Sequence, residues 1–519
     1  MMSNIDRTSF LNSRPFDVHR WSNYPELESI VTVMWHRFSD EQAVTTSGSR
    51  GRPTKRIKRD NMKVLLLDLY VCWCEDPEKY IGVSANRNHW SRGRYRALHL
   101  SVVILDVLDW LVLKGYVDKR KHFHHRGDPR QSRTARYRAS ELLQSIFKKA
   151  LFGLEHITTH ENTECIILKD VEATDDESIQ RSMSIEYQDT NQTIEMRKRL
   201  NAYNKLLSQS HIDIHNLTQP FLEIEINKGP RLGQFNRLAI GQHNKFVRRI
   251  FSRGSWEMHG RFYGGWWQQI GKELRRGIFI NGNPTVEVDF KAQHVSILNA
   301  QLGASVVYDP YMVNADLFPE FDRDLVRGWC KSLVLTALNA RSRSSAYNAF
   351  RSGAKTGSPE KHLKNSDLKR LLDAFTEKNP HLRDFLSSDQ GITLMYSDGL
   401  IAADIINSLT EKNIPVLAIH DSFIVQRHHF AELRIAMNIA ALNHCRRCLI
   451  AEQDSIEIDF SKEIYWSIIN ESAVNKLPQY KACKQYLERF KRFCEGKGVV
   501  ADRNNRGRGL MTRHVFSLI

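Results

Sequence analysis

The segment Ile414-Pro415-Val416-Leu417-Ala418-Ile419-His420-Asp421-Ser422-Phe423-Ile424-Val425 most constrains how this 519-residue chain can fold, because one carboxylate interrupts two otherwise apolar runs. The pattern predicts a strand, a turn and a second strand, with Asp421 at the tip. Burying an ionised carboxylate between strands that read as core costs several kcal/mol unless its charge meets a partner such as a metal ion. Thr285-Val286-Glu287-Val288-Asp289-Phe290 also alternates like a strand and leads into Val295-Ser296-Ile297-Leu298, which places Asp289 at a strand end. Strand-end acids are common caps, so either aspartate alone carries little. Brought together by a sheet, the pair would hold two divalent cations about 3.5 to 4 Å apart, the clamp used for in-line phosphoryl displacement.

Between the two acids lies Arg327-Gly328-Trp329-Cys330-Lys331-Ser332-Leu333-Val334-Leu335-Thr336-Ala337-Leu338-Asn339-Ala340, whose apolar residues recur at helical spacing. Arg327 and Lys331 are four apart and share one helix face, where they could neutralise a triphosphate. A solvated basic face is the other reading of this pair.

The order of these three segments resembles the palm and fingers of single-subunit, right-handed nucleic-acid polymerases, the superfamily that joins bacterial A-family DNA polymerases to bacteriophage-type and mitochondrial RNA polymerases. Asp289 matches the aspartate that opens the first motif of that family. Arg327, Lys331, Asn339 and Ala340 match in spacing a helix with Arg, three residues, Lys, seven residues and then usually Tyr-Gly. His420 and Asp421 match the His-Asp hairpin tip, within the His-Asp-Ser-Phe common in the RNA polymerase branch. Upstream, His259-Gly260-Arg261-Phe262-Tyr263 resembles the Arg-Gly-Arg-aromatic-Tyr segment that leads into the palm, and Gln268, Gln269 and Ile270 fall where DNA polymerases carry a Gln-containing stretch. The resemblance covers roughly residues 235–465. Two positions depart from it: His294 stands where DNA polymerases often carry a Glu that excludes a ribose hydroxyl, and Asn339 replaces the Tyr of the second motif. Both bear on sugar choice, so deoxy- and ribonucleotides both stay open.

The resemblance implies an α/β (α+β) fold, with palm, fingers and thumb built around an antiparallel palm sheet. It implies a magnesium-dependent nucleotidyltransferase in which Asp289 and Asp421 bind two magnesium ions. Lys331 would meet the incoming triphosphate, with Arg327 the next candidate for phosphate contact. His420 would orient the hairpin or touch the primer end. Arg261, with Tyr263 beside it, would hold template or primer, and His294 and Asn339 would sit near the templating base and the sugar. The expected partners are a nucleic-acid template, with DNA favoured, and nucleoside triphosphates.

Composition fits a polyanionic partner, since 75 Lys and Arg against 59 Asp and Glu leave a net charge of +16. No apolar run reaches the ~18 residues of a membrane span. The start, Met1-Met2-Ser3-Asn4-Ile5-Asp6-Arg7, lacks a signal-peptide profile, and eight cysteines without dense regular spacing suit a reduced cytoplasm. His444-Cys445-Arg446-Arg447-Cys448 has zinc-like spacing but no second pair nearby, and reads as helical cysteines. No obligate protein partner is evident.

The expected organisation is an N-terminal segment and basic linker over 1–60, a small, mainly helical domain over 61–150, an acidic connector over 151–192, the polymerase-like unit over 193–475 and a basic extension over 476–519. Within the linker, Arg50-Gly51-Arg52-Pro53 could lie in a narrow minor groove or simply be solvated. In the second unit, a helix ending in Gly115-Tyr116-Val117 before an Arg-rich hairpin resembles the last helix and wing of winged helix-turn-helix domains. That likeness would make phosphate contacts of Arg120, Lys121, Arg126, Arg130, Arg133, Arg136 and Arg138; an ordinary helical domain with a basic loop is the alternative. Two other functions compete with a polymerase: a non-catalytic DNA-binding replication initiator or regulator, and a metal-dependent nuclease using the same acids. The Arg-to-Lys helix favours the polymerase, because a nuclease needs no triphosphate site.

Overall fold

The computed structural model describes residues 12–43, 55–90, 93–95, 99–123, 132, 134–172, 181–225, 233, 235–304, 309–355, 357–454 and 481–504. The chain mixes helix and sheet, and two hydrophobic cores divide it.

The sheet that carries both aspartates is organised around the strand Asn283–Phe290. Ser422–Gln426 runs antiparallel to it on one side, with Leu417–Ile419 pairing beyond. Ala451–Asp454 also pairs antiparallel to the site end of Asn283–Phe290, while Ile278–Ile280 and then Ile212–Ile214 extend the sheet from its other end. Val286, Val288 and Phe290 are buried with Phe423, Ile424 and Val425, so hydrophobic burial on the two strands holds their register. A one-residue slip would turn these side chains to the opposite face.

The helix Gly391–Glu411 packs against the long strand Ser255–Tyr263 at a point where two glycines meet. A Cβ on Gly399 would stand 2.4 Å from the carbonyl oxygen of Gly260, so only glycine permits this approach. Arg249, itself buried, donates to the carbonyl oxygens of both Gly260 and Gly399.

Several expected boundaries move. The helix Pro25–Ala43 buries Leu27, Val31, Met34 and Phe38, at helical spacing, in the same core as Met62 to Cys72. The break expected at 60/61 falls inside the helix Lys55–Glu75. This first core continues to Ile157 and surrounds a four-stranded sheet in the order Ser13–Pro15, Tyr80–Gly82, Arg136–Ala139, Val117–Arg120. The acidic connector expected over 151–192 contains the strand Ile166–Glu172, which pairs in parallel with Arg248–Ser252, because Cys165, Ile166, Ile167 and Leu168 are apolar enough to be buried. Part of the basic extension is docked on the sheet. The helix Lys484–Asn504 buries Tyr486 and Phe493, and its Arg489 meets Asp213 of the sheet edge at 2.7 Å with both side chains almost fully enclosed. Arg50-Gly51-Arg52-Pro53 lies outside the described residues. Among the described residues no helix is long and apolar enough to cross a membrane.

Candidate active site

Antiparallel register brings the two aspartates together. Asp289 pairs with Ser422, and the next amide along, Phe290 N–H, donates to the Asp421 carbonyl at 3.1 Å. His420 adopts φ +57°, a left-handed conformation that lets the chain reverse between Ile419 and Ser422. Asp289 and Asp421 thus stand at the adjoining ends of neighbouring strands.

Their electrostatics follow from that closeness. Burial first, then the charges of Asp421 and Glu287, push the Asp289 carboxyl up to about 7 against the opposing pull of Lys331 and Lys272. The Asp421 carboxyl is likewise raised, by burial and then by Asp398. Asp289 Oδ1 is buried with no hydrogen-bond partner among the described residues. Glu287 is already occupied: Arg275 holds both of its oxygens, at 2.7 and 2.9 Å, and Ser422 Oγ donates to one of them. Glu287 is thus neutralised by Arg275, whereas Asp289 Oδ1 has no such partner among the described residues.

The helix Arg323–Asn339 starts from a cap in which Asp322 accepts from the amides of Asp324 and Leu325. Lys331 on this helix is exposed and acts electrostatically on Asp289. Arg327, one turn earlier, is turned to Asp309, with Nε 2.5 Å from Oδ2. The two cations that share a face in sequence thus differ in their surroundings: Arg327 is held by a carboxylate, while Lys331 is exposed and its charge acts on Asp289. Asn339 closes its own helix by donating to the Leu335 carbonyl at 2.7 Å and packs against Gly391, where a Cβ would meet Asn339 Oδ1 at 2.0 Å.

Arg261, Tyr263, His294 and His420 gather beside the hairpin. Tyr263 bonds His259 Nε2 through its hydroxyl at 2.9 Å and sets its ring edge-on to His420, with centroids 5.3 Å apart. Burial, then the nearby Arg261 charge, lower the His420 imidazole below its ordinary value. Arg261 itself is engaged inward, with Nε 2.5 Å from Asp398 Oδ2 and Nη2 2.9 Å from His294 Nε2.

Sequence reasoning missed Asp398. It lies on the buried face of Gly391–Glu411 at helical spacing from Leu394, Ile401 and Ile405, so an acid in an apolar helix stripe was the available signal.

The basic residues of the N-terminal unit are not a uniform phosphate-binding row. Arg136 is buried, and the acids Asp118 and Glu78 occupy the guanidinium group of Arg138. Arg120 sits over the Tyr80 ring at 4.8 Å, Lys121 is exposed, and Arg126, Arg130 and Arg133 lie outside the described residues. Cys445 is buried and Cys448 exposed, and no group of three or more His, Cys, Asp or Glu placed to hold a metal occurs among the described residues.

No family model matches the chain, and no curated protein matches it. Among solved structures it is similar to the POL domain of Pol1 from M. smegmatis in complex with DNA primer-template and dNTP, at 10% identity and a TM-score of 0.26. That match covers 50% of this chain and 51% of the other, about half the length of each. A likeness of this size establishes neither fold nor function.

Proposed function

We propose that this chain is a template-directed nucleic-acid polymerase, transferring nucleotidyl groups from nucleoside triphosphates to a 3′-hydroxyl. The observation that carries the reading is the register that sets Asp289 beside Asp421, with Asp289 Oδ1 buried and without a hydrogen-bond partner among the described residues, and with Lys331 acting on the same acid. In this reading the sheet around Asn283–Phe290 is the palm, the helix Arg323–Asn339 belongs to the fingers, and the N-terminal unit is a winged-helix-like nucleic-acid-binding module.

The acid pair fits magnesium. Two half-buried carboxylates, both with raised proton affinity and one of them raised by the other's charge, favour a cation between them, and magnesium takes one or two protein carboxylates while water and substrate phosphates complete its shell. Bound there, magnesium would activate the attacking hydroxyl and neutralise the pyrophosphate leaving group.

The remaining work belongs to the chain's own side chains. Lys331, which has no ion-pair partner among the described residues, binds the triphosphate. Arg327, held by Asp309, contributes less to phosphate affinity than its place in the helix suggests. His420 and Tyr263 brace the hairpin that presents Asp421, and Asn339 and His294 border the nucleotide, whose sugar is undecided.

The test offers purified protein a labelled primer-template and an unprimed template with magnesium and either deoxy- or ribonucleotides, beside Asp289→Ala and Asp421→Ala. Extension by the wild type that falls by at least about 10³-fold in each variant supports the assignment. Equal product from all three rejects it. Shortening of the template in place of extension identifies the nuclease, and template binding that ignores nucleotide identifies the initiator or regulator.

A further inference from the structure

Beside the acid pair lies a buried ionic group for which the proposed reaction has no evident use. Asp398 is fully buried in the middle of a helix and meets Arg261, whose side chain is only 15% exposed. The same guanidinium reaches His294 Nε2 at 2.9 Å, and His294 is 8% exposed. A guanidinium has donors and no acceptor, so His294 Nε2 must accept in this contact. The ring proton is then on Nδ1, which is buried and has no hydrogen-bond partner among the described residues. His294 Nε2 also lies 3.8 Å from Asp398 Oδ2, so the guanidinium and the carboxylate both face this nitrogen.

The backbone around this group is constrained from both sides. Gly260 and Gly399, each next in sequence to one member of the ion pair, are in near contact, and Arg249 ties their carbonyl oxygens together from beneath. Arg261 and Asp398 are therefore fixed relative to each other by main chain as well as by charge. His294 is the third member, delivered by the helix Gln293–Gln301 directly after the strand that carries Asp289.

We infer that Asp398 is a positioning residue: it anchors Arg261, which fixes His294 as the Nδ1–H tautomer and holds the helix Gln293–Gln301 in place behind the strand that carries Asp289. Arg261 on this account is an internal strut and not a hand for the nucleic-acid backbone. The catalytic consequence rests on the polymerase reading; the tautomer does not.

The experiment uses the full chain with histidine-selective ¹⁵N and ¹³C labelling in a deuterated background, with His294→Gln to assign the signal. Ring shifts report which nitrogen is protonated. The wild type is expected to show His294 protonated at Nδ1. Asp398→Asn, which keeps an acceptor oxygen for Arg261, should retain that tautomer, while Asp398→Ala should move it to Nε2–H or to a mixture. Should Asp398→Ala fail to fold, Arg261→Met removes the donor from the other side and is read the same way. A wild-type His294 protonated at Nε2 or at both nitrogens overturns the inference without any variant, as does an Asp398→Ala spectrum identical to wild type.

Steady-state extension adds a second readout. Asp398→Ala should lower kcat about 100-fold with nucleotide KM changed less than threefold, as expected when reacting groups are misplaced and not when a binding contact is lost. Asp398→Asn should recover most of the rate. A raised KM with unchanged kcat counts against positioning. A wild type with the Nδ1–H signal but no extension under any condition removes the polymerase reading and leaves the strut standing.

Discussion

Replacing Asp289 with asparagine should make the metal-free protein more stable while abolishing its activity. The Asp289 carboxyl is pushed from an ordinary 3.8 to about 7, first by burial and then by Asp421 and Glu287. For an acid whose folded-state value is raised, the penalty is absent below the unfolded value near 4, grows as pH rises, and is complete above about 7. A gap of about three pH units corresponds to about 4 kcal/mol, an upper figure because Asp421 shares the perturbation. At pH 8 in chelator, Asp289→Asn should therefore melt several degrees above wild type, followed by tryptophan fluorescence; at pH 4 the two should converge. Magnesium should narrow the difference at pH 8, because a cation at 100 times its Kd stabilises the binding form by about 2.7 kcal/mol and the variant has lost one of the two acids. If Asp289→Asn melts at or below wild type at pH 8, or the gap between them does not shrink toward pH 4, the acids are not the electrostatically strained pair described above.

Two further outcomes are expected. Lys331→Met should raise nucleotide KM about 10- to 100-fold, the scale of one charged hydrogen bond, whereas Arg327→Met, whose guanidinium is already on Asp309, should change it less than threefold; steady-state extension with varied nucleotide compares them, and equal effects would contradict the separate environments of the two cations. Gly399→Ala should destabilise by about 1–3 kcal/mol even though alanine favours a helix, since its Cβ would lie 2.4 Å from the Gly260 carbonyl oxygen; a melting temperature at or above wild type would refute the close approach.

Local sequence pattern was enough to locate the two strand-end acids and the helix between them. Alternation in Thr285 to Phe290 and the apolar runs flanking His420 and Asp421 read as strands because side-chain direction repeats every two residues, and Arg327 to Ala340 reads as a helix because its apolar residues recur at helical spacing. Those periodicities are properties of short stretches, so no long-range contact was needed to see them. Partner choice had no such local signal. That Arg327 turns to Asp309, that Arg261 turns inward to Asp398 and His294, and that Arg136 is buried were decided only when distant segments packed. The same holds for the acid-rich stretch after 150, where Ile166 to Leu168 became a core strand once Arg248–Ser252 supplied its hydrogen bonds, and for the basic C-terminal helix, whose Arg489 found Asp213 across 276 residues of chain. A charge written in the sequence states what must be neutralised, and the tertiary structure alone determines which opposite charge or carbonyl comes near enough to do it.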